Sequence, residues 1–163
     1  MGMRRTSVRI GLTSQEPPAA AGAPAIFSGE LDIPTKGELD IQDITSELSS
    51  LIDDSGILNG IVTIFVPGAT GALTTMEFEP GVVEDLRAAI QRMAPSEIEY
   101  EHHIKWKDGN GHSHVRAALI GPSVTFPLRE GRIPFGTWQQ VVFIELDVRP
   151  RKRKLLVQII GTG

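Results

Sequence analysis

The chain has 163 residues, enough for one domain with its own hydrophobic core, and a formal net charge of −4. This mildly acidic balance argues against nucleic-acid binding through bulk electrostatics. The sequence contains no cysteine, which excludes disulfides, thiolate metal sites and a cysteine nucleophile. No apolar run approaches the length needed to cross a bilayer, and none follows Arg4 and Arg5 as it would in a secretory signal. We therefore expect a soluble cytoplasmic protein without a membrane partner.

Residues 1–24 predict an extended N-terminal segment outside the folded domain. A short alternating run, residues 7–12, is followed by a stretch rich in proline, alanine and glycine that has no periodicity. A tail without a chemical role is the simplest interpretation. A strand near Val8 that pairs with a neighbouring subunit is the alternative.

The first half of the domain predicts strands and two long helices. Residues 26–35 alternate as a strand does, and the β-branched run 60–66 is typical of a buried strand. Asp43 can cap a helix whose apolar residues recur at helical spacing and that ends at Gly56. The second helix begins at Pro80, because proline is favoured in a first turn.

The second half predicts further strands around one short helix. Residues 98–103 predict a strand and residues 105–111 a glycine-rich loop. Ser113 to Gly121 predicts the short helix, with Ser113 as its N-cap and the glycine at its end. Residues 138–148 are largely apolar on both faces, which predicts a central strand, and residues 155–160 predict the last strand. The predicted fold is α+β, with mixed, mainly antiparallel sheets packed against two longer helices and one short central helix.

The histidines gather around this short helix. A catalytic zinc site takes three protein ligands and a water, and neutral imidazole suits zinc and similar divalent metals. His102, His112 and His114 are therefore candidate metal ligands, although His-x-His spacing also arises by chance in surface loops. On a helix, the first turn would offer free N–H groups to an anion. On a strand, His112, His114 and Arg116 would share one face. In either geometry we expect the imidazoles to converge on one pocket.

The motifs around these residues resemble the signature of the YjbQ-like family. They are Asn110-Gly111-His112-Ser113-His114-Val115-Arg116, Gly121-Pro122-Ser123, Pro127, Gly131 and Gly136-Thr137-Trp138-Gln139. The resemblance covers residues 37–161 and implies a single YjbQ-like domain over residues 25–163. It also implies a homotrimer with the histidine site close to subunit boundaries. Some members of the family are associated with a weak, secondary thiamine-phosphate synthase activity.

The resemblance and the residue chemistry together assign candidate roles. His114 is a candidate metal ligand or general acid/base, with His102 and His112 as ligands or orienting groups. Arg116 is a candidate catalytic anion clamp, because a guanidinium can hold a phosphate at two points; a surface ion pair is the alternative. The candidate ligand-binding residues, which could equally satisfy turn backbone, are Ser123, Thr137 and Gln139.

Two functions stay open. The first is a metal-assisted enzyme, with a divalent metal such as zinc, that acts on a small phosphorylated compound. The second is a non-catalytic trimer that binds metal or ligand through the same histidines. One departure favours the second: family members tied to the thiamine activity carry His-Thr-Ser where this chain has Pro67-Gly68-Ala69-Thr70. Glu77 and Glu79 are candidate substitute carboxylates, or charges that favour a helix start.

Two tryptophans and one basic run complete the candidates. Trp138 is expected to anchor the core or an interface, and Trp106, in a glycine-rich loop, to contact a ligand or a subunit. The basic run 149–154 joins two predicted strands, so a solvated hairpin is the first interpretation and a rim that attracts phosphorylated substrates the second. Nucleic-acid binding ranks third, because no aromatic residue is interleaved with the basic ones.

Overall fold

The computed structural model describes residues 22–163, in which seven strands and four helices form. The strands are β1 (Ala25–Pro34), β2 (Asp40–Asp43), β3 (Asn59–Phe65), β4 (Gly71–Met76), β5 (Ser123–Leu128), β6 (Gln140–Glu145) and β7 (Lys152–Thr162). The helices are α1 (Thr45–Ser55), α2 (Pro80–Met93), α3 (Glu101–Trp106) and α4 (Gly111–Ile120). The alternating run 7–12, with the predicted strand near Val8, lies outside the described residues.

The strands form two separate antiparallel sheets. One sheet has four strands in the order β1-β7-β3-β5, and the other has three in the order β2-β6-β4. Each pairing within these sheets is antiparallel. The predicted α+β class with antiparallel sheets and two longer helices is therefore confirmed.

The three-stranded sheet is the middle layer of the domain. Its central strand β6 is buried on both faces, as the apolar run in the sequence predicted. Val141 and Phe143 pack into the core shared with the inner face of the four-stranded sheet and with α1. Val142 and Ile144 pack into a second core, shared with α2 and α4. This second core seats α4, and with it the histidines, on the outer side of the middle sheet.

Local chemistry sets the helix ends. Glu79 caps α2, because its carboxylate accepts hydrogen bonds from the N–H groups of Gly81 (2.9 Å) and Val82 (3.1 Å). These bonds hold the pKa of Glu79 below its usual value. Asp43 lies two residues before α1, and its carboxylate accepts from both the N–H and the hydroxyl of Thr45. Both helix starts predicted from the sequence are thus present, although the N-cap position of α1 is Ile44 rather than the predicted Asp43.

Two predicted elements are wrong in type or extent. Residues 98–103 contain no strand; the segment turns into α3, whose first N–H bonds run from His103 and Ile104 to the carbonyl of Tyr100. The alternation there was too short to separate a strand from one helical turn. The strand predicted over 138–148 is limited to β6, and Trp138 lies before it with 68% of its surface exposed. Of the two roles predicted for Trp138, an anchor in the core is therefore wrong, and an anchor in an interface stays a prediction.

One close strand approach depends on glycine. Gly60 on β3 and Gly161 on β7 face each other in register. A Cβ on Gly60 would lie 2.0 Å from the Ile160 carbonyl oxygen, and one on Gly161 2.0 Å from the Asn59 carbonyl oxygen. Only glycine allows the two backbones to come this near. Within residues 22–163, no helix is long and apolar enough to span a bilayer.

Candidate functional site

The start of α4 is held by α3 rather than by its own side chains. The N–H of Gly111 donates to His103 Nε2 at 2.8 Å, and the N–H groups of Ser113 and His114 reach the carbonyl of Asn110. A Cβ on Gly111 would lie 2.7 Å from the Cβ of Tyr100, so glycine is needed for this packing. The predicted N-cap, Ser113, is instead a fully buried residue of the first turn. The predicted C-terminal glycine, Gly121, ends the helix as expected.

The helix separates the two histidines of the His-x-His motif. Residues two apart on a helix point about 200° from each other, so His112 and His114 face opposite directions. His112 is 2% exposed, whereas His114 is only partly buried. The motif therefore contributes one imidazole to the interior and one to the surface.

The outer imidazole, His114, belongs to a small polar cluster. The ring centroids of His102 and His114 are 4.5 Å apart. His102 Nε2 lies 3.2 Å from Asp108 Oδ2. The Asn110 amide, in the orientation that satisfies both of its polar atoms, places its nitrogen 3.0 Å from Asp108 and 3.2 Å from His102. Burial acts to raise the pKa of Asp108, but the Asn110 N–H and His102 lower it overall. We call His102 and His114, together with the adjoining Asp108 and Asn110, the outer histidine pair.

His114 also lines a shallow cavity of about 180 Å³. Another part of the lining comes from Gly68 and Ala69, in the loop between β3 and β4 where the chain departs from the family pattern, and from Gly71 at the start of β4. The rest of the lining is Ala117, Ala118 and Pro122. The cavity therefore presents one imidazole, small side chains and backbone, with room for a small ligand beside the outer histidine pair.

The inner imidazole, His112, lies beside a buried ion pair. Its Nε2 is 3.2 Å from Glu38 Oε1, within ion-pair distance, but neither ring nitrogen has an aligned hydrogen-bond partner in residues 22–163. Ser113 Oγ is likewise without a partner there. Burial is the main cause that lowers the pKa of His112; Glu38 opposes it, and Arg116 and His103 add to it. The ring thus favours its neutral form.

Arg116 lies on the same side of α4 as His112 and is 0% exposed. Its Nε donates to the Ala94 carbonyl at 2.9 Å, at the C-terminal end of α2. Its two terminal nitrogens donate to Glu38 and to Gln91. A surface ion pair requires an exposed side chain, so the burial of Arg116 contradicts that alternative. An anion clamp also requires access, and a phosphate has no open path to this guanidinium. Arg116 joins α4 to α2 from inside the domain.

The predicted metal ligands do not form one set. His102 and His114 contact each other on the outside, with their rings tilted by 52°, while His112 is inside with Glu38, Tyr100 and His103. Within residues 22–163, no group of three or more His, Asp or Glu side chains is arranged to hold a metal ion. The described residues of one chain therefore do not fit the three-histidine zinc site expected from the sequence.

The three predicted ligand-binding residues lie away from the cavity lining. Ser123 begins β5 on the exposed face of the four-stranded sheet, opposite Phe65. Gln139 accepts from the N–H of Gly136 and donates to Thr75, each at 3.2 Å. Thr137 is exposed in the loop before β6. The structure does not bring these three to the outer histidine pair.

The basic run is largely exposed, and three of its five basic side chains make ion pairs. It does not close a hairpin, because the strands that it joins, β6 and β7, belong to different sheets. Arg153 makes two bonds, 2.7 and 2.6 Å, to the fully buried carboxylate of Glu145. It also donates to Thr70 at 2.8 Å, at the base of the loop that walls the cavity. Arg151 donates to Asp147, and Lys154 to Glu30. Burial acts to raise the pKa of Asp147, but hydrogen bonds from Arg151 and the Arg149 N–H lower it overall. The run therefore fixes the sheet ends and the cavity loop.

Sequence reasoning missed three contributors to this region. Glu38 is 78 positions from Arg116 in the chain, so no local pattern links them. Asp108 and Asn110 lie in the predicted loop between His103 and His112. Their position between the histidines could have marked them as neighbours of the imidazoles. Glu79, in contrast, is the helix-start charge foreseen as the alternative to a site carboxylate.

Fold and site together define a small two-sheet α+β protein with a paired-histidine cavity beside its short fourth helix. The family profile described as UPF0047 protein YjbQ-like matches residues 29–162. A UPF0047 protein of Methanothermobacter thermautotrophicus is 35% identical over 136 residues, which cover 83% of this chain and 93% of that one. A UPF0047 protein of Archaeoglobus fulgidus is 32% identical over 80% of this chain and 99% of its own length.

Solved structures agree with the sequence matches. A YbjQ-like protein of unknown function from Sulfolobus solfataricus superposes with a TM-score of 0.81 at 32% identity, over 85% of this chain and 99% of that one. A hypothetical protein from Aeropyrum pernix gives a TM-score of 0.78 at 30% identity, over 83% and 98%. The chain belongs to the YjbQ-like UPF0047 family, which confirms the resemblance found in its sequence motifs.

Proposed function

We propose that this protein is an enzyme that acts on a small phosphorylated compound, with His114 as its general acid/base. The observation that carries the proposal is the contact between His114, which lines the cavity, and His102, which lies beside Asp108. Imidazole is the side chain suited to proton transfer near neutral pH. A charged imidazole also attracts the oxygens of a phosphate.

In this mechanism the phosphate of the ligand lies between His114 and the loop that contains Gly68 and Ala69. Small residues let the loop backbone approach the ligand closely. Water or an acceptor molecule forms the new bond to the rest of the substrate, the bond from that group to the phosphate oxygen breaks, and His114 donates a proton to the departing oxygen. The proton that the attacking molecule loses restores the one that His114 gave. His102, whose Nε2 lies 3.2 Å from Asp108, holds its ring beside that of His114. Arg116 has no part in this mechanism, because it is enclosed with Glu38 and Gln91.

The proposal is tested first by binding. Inorganic pyrophosphate is titrated into the full-length protein by calorimetry, with His114→Ala as the test variant. We expect the wild type to bind and the variant to bind about tenfold more weakly or worse, because a hydrogen bond to a charged group is lost. Arg132→Ala removes an exposed cation from the loop after β5 and is the matched control, which should bind as the wild type does. Equal affinity of wild type and His114→Ala would remove His114 from the site.

Turnover is tested separately. Expression in a strain that lacks thiamine-phosphate synthase examines the thiamine form of the activity, with His114→Ala expressed to the same level. Growth with the wild type and failure with the variant would support catalysis. Failure of both, with pyrophosphate binding intact, would contradict the thiamine form and favour the second function.

The second function is ligand binding without turnover. What favours it is the composition of the cavity loop, which has glycine and alanine where the thiamine-associated members carry His-Thr-Ser. With these side chains absent, the outer histidine pair would be left to bind an anion unaided. Metal analysis of protein purified without a histidine tag tests the divalent metal in either function. Substoichiometric metal would remove the zinc proposal, to which the described residues give no three-ligand set.

We propose, further, that the protein is the homotrimer implied by its family, with contacts beside the outer histidine pair. Large apolar side chains are exposed there on both short helices: Ile104, Trp106, Val115 and Leu119. Exposed apolar groups that cluster in this way are typical of protein interfaces. Light scattering should give three times the monomer mass for the wild type and a smaller mass for Leu119→Glu. A monomeric wild type would overturn this assignment.

A further inference from the structure

One arginine of the basic run has its side chain inside the domain. Residues 153, 155, 157 and 159 of β7 alternate with exposed neighbours, and the last three belong to the core between the sheets. Arg153 therefore lies on the inner side of its sheet, and its side chain is only 12% exposed. The other basic residues of the run are exposed: Arg149, Arg151, Lys152 and Lys154.

The guanidinium of Arg153 is fixed along one edge. Its Nε and Nη2 donate to the carboxylate of Glu145 at 2.7 and 2.6 Å, and Nη2 also donates to the hydroxyl of Thr70 at 2.8 Å. The hydrogen bonds to Glu145 raise the pKa of Arg153, against the opposing effect of burial, so the group keeps its positive charge. Because the guanidinium is planar and rigid, these bonds also fix the direction of its remaining nitrogen.

The remaining nitrogen, Nη1, is open toward the cavity. It has no hydrogen-bond partner among residues 22–163, and it is not one of the fully buried unpartnered atoms, which belong to His112 and Ser113. Nη1 is therefore in contact with solvent. A Cβ on Gly68, which lines the cavity beside His114, would lie 3.1 Å from Nη1. Glycine at this position leaves the space between Nη1 and the cavity free of a side chain.

This placement supplies the cation that the cavity otherwise lacks. A phosphate group carries up to about two negative charges near neutral pH, more than one protonated imidazole balances. Arg116, which was predicted for this role, is enclosed with Glu38 and Gln91. Nη1 has two N–H donors to offer to phosphate oxygens. We propose that Arg153 binds the phosphate of the ligand through Nη1, past Gly68; this inference rests on the proposed function, because the phosphate is the same one.

Two carboxylates lie near this guanidinium, and other donors share both of them. Glu145 also accepts from the hydroxyl of Thr35 at 3.1 Å and from the N–H of Asp147 at 2.9 Å. Asp147 is paired with Arg151 at 2.6 Å. The two acidic residues are 0% and 3% exposed, whereas Nη1 contacts solvent. An anion in the cavity therefore meets the N–H groups of Arg153 before it meets either carboxylate.

The first test leaves the protein unaltered. Full-length protein is labelled with ¹³C and ¹⁵N in arginine, and its guanidinium signals are followed by NMR while inorganic pyrophosphate is added. The Arg153 signal should shift and saturate with the dissociation constant that calorimetry gives. The enclosed Arg116 and the exposed Arg149 should keep their signals. A shift of Arg149 as large as that of Arg153 would overturn the inference, because the whole run would then attract the anion.

The second test changes the donor. Arg153→Lys keeps a positive charge beside Glu145 but has no second nitrogen to reach past Gly68, so pyrophosphate affinity should fall about tenfold. Arg149→Lys makes the same change at an exposed position of the run and should bind as the wild type does. If Arg153→Lys does not fold, Glu145→Gln combined with Arg153→Gln replaces the ion pair by an uncharged hydrogen-bonding pair and should show a loss at least as large.

The outcomes separate this inference from the proposed function. A wild type that binds no pyrophosphate would overturn both. If the wild type binds and His114→Ala weakens binding, the proposed function stands. An Arg153 signal that does not move during that binding, or wild-type affinity in the folded Arg153 variant, would then overturn this inference alone.

Discussion

Both sides of α4 carry a histidine, but the two histidines have different surroundings. On the inner side, His112 and Arg116 are enclosed with Glu38, and the arginine reaches the end of α2. On the outer side, His114 meets His102 at a cavity. Position on the helix, rather than residue chemistry, separates a structural histidine from a candidate functional one.

The electrostatic settings of the two sides differ as well. The inner imidazole has its pKa lowered mainly by burial, so it is neutral over a wider pH range than a free histidine. The outer pair has a carboxylate within 3.2 Å of His102 and partial contact with solvent. A histidine that exchanges protons with a ligand needs the accessible surroundings of the outer pair. A histidine inside a core is favoured in its neutral form, because burying a charge is costly.

The largest effect should follow the loss of the inner arginine. Arg116→Met removes the charge that Glu38, Gln91 and the Ala94 carbonyl share. Breaking a buried ion pair by removing one partner costs about 3–5 kcal/mol of unfolding free energy. Chemical denaturation measures the change. The exposed Arg129→Met should stay within about 0.5 kcal/mol of wild type, and a similar value for Arg116→Met would show that the inner cluster is not structural.

The outer histidine should behave in the opposite way. His114→Ala should weaken pyrophosphate binding by about tenfold to a hundredfold yet change the unfolding free energy by no more than about 1 kcal/mol, because the ring is only partly buried. Calorimetric titration and denaturation of the same preparation give both numbers. A variant that bound normally but unfolded easily would reverse the roles assigned to the two sides.

The inner histidine should make stability depend on pH. Burial holds its folded pKa below the ordinary histidine value of about 6.5, so the unfolded chain takes up a proton first as pH falls. Stability is therefore fully present above pH 6.5, declines as pH drops from there towards the folded pKa, and levels off below it. The effect should be smaller than that of Arg116→Met, since one proton is involved. His112→Gln should remove the decline, and parallel profiles for variant and wild type would contradict the assignment.

The fold was accessible from the sequence because its elements are locally encoded. The buried strand β3, the Glu79–Pro80 start of α2 and the apolar run of β6 each carry a periodic or capping signal within a few residues. The failure at α3 came from a six-residue element whose type is set by packing against α4. His103 and Tyr100 supply that packing, through Gly111, and no local pattern encodes it.

The site was accessible only in part. The motif identified His102, His112 and His114 as candidates. Whether their imidazoles converge on one site depended on whether residues 112–116 form a strand or a helix. The strand geometry would have joined His112, His114 and Arg116 on one face; the helix divides them. The burial of Arg116 also needed Glu38, which follows β1 and comes near only when the sheets assemble. Long-range pairs of this kind leave no trace in a single sequence.

The smallest expected effect tests whether the outer pair works as a unit. Asp108→Asn keeps a hydrogen-bonding side chain near His102 but removes its charge. Because an exposed ion pair contributes little, pyrophosphate affinity should fall by no more than about fivefold, well short of the loss in His114→Ala. The matched control is Asp54→Asn, near the end of α1, which should change nothing. If Asp108→Asn equalled His114→Ala, Asp108 would contact the ligand itself, and the proton-transfer role would pass from the histidines to the carboxylate beside them.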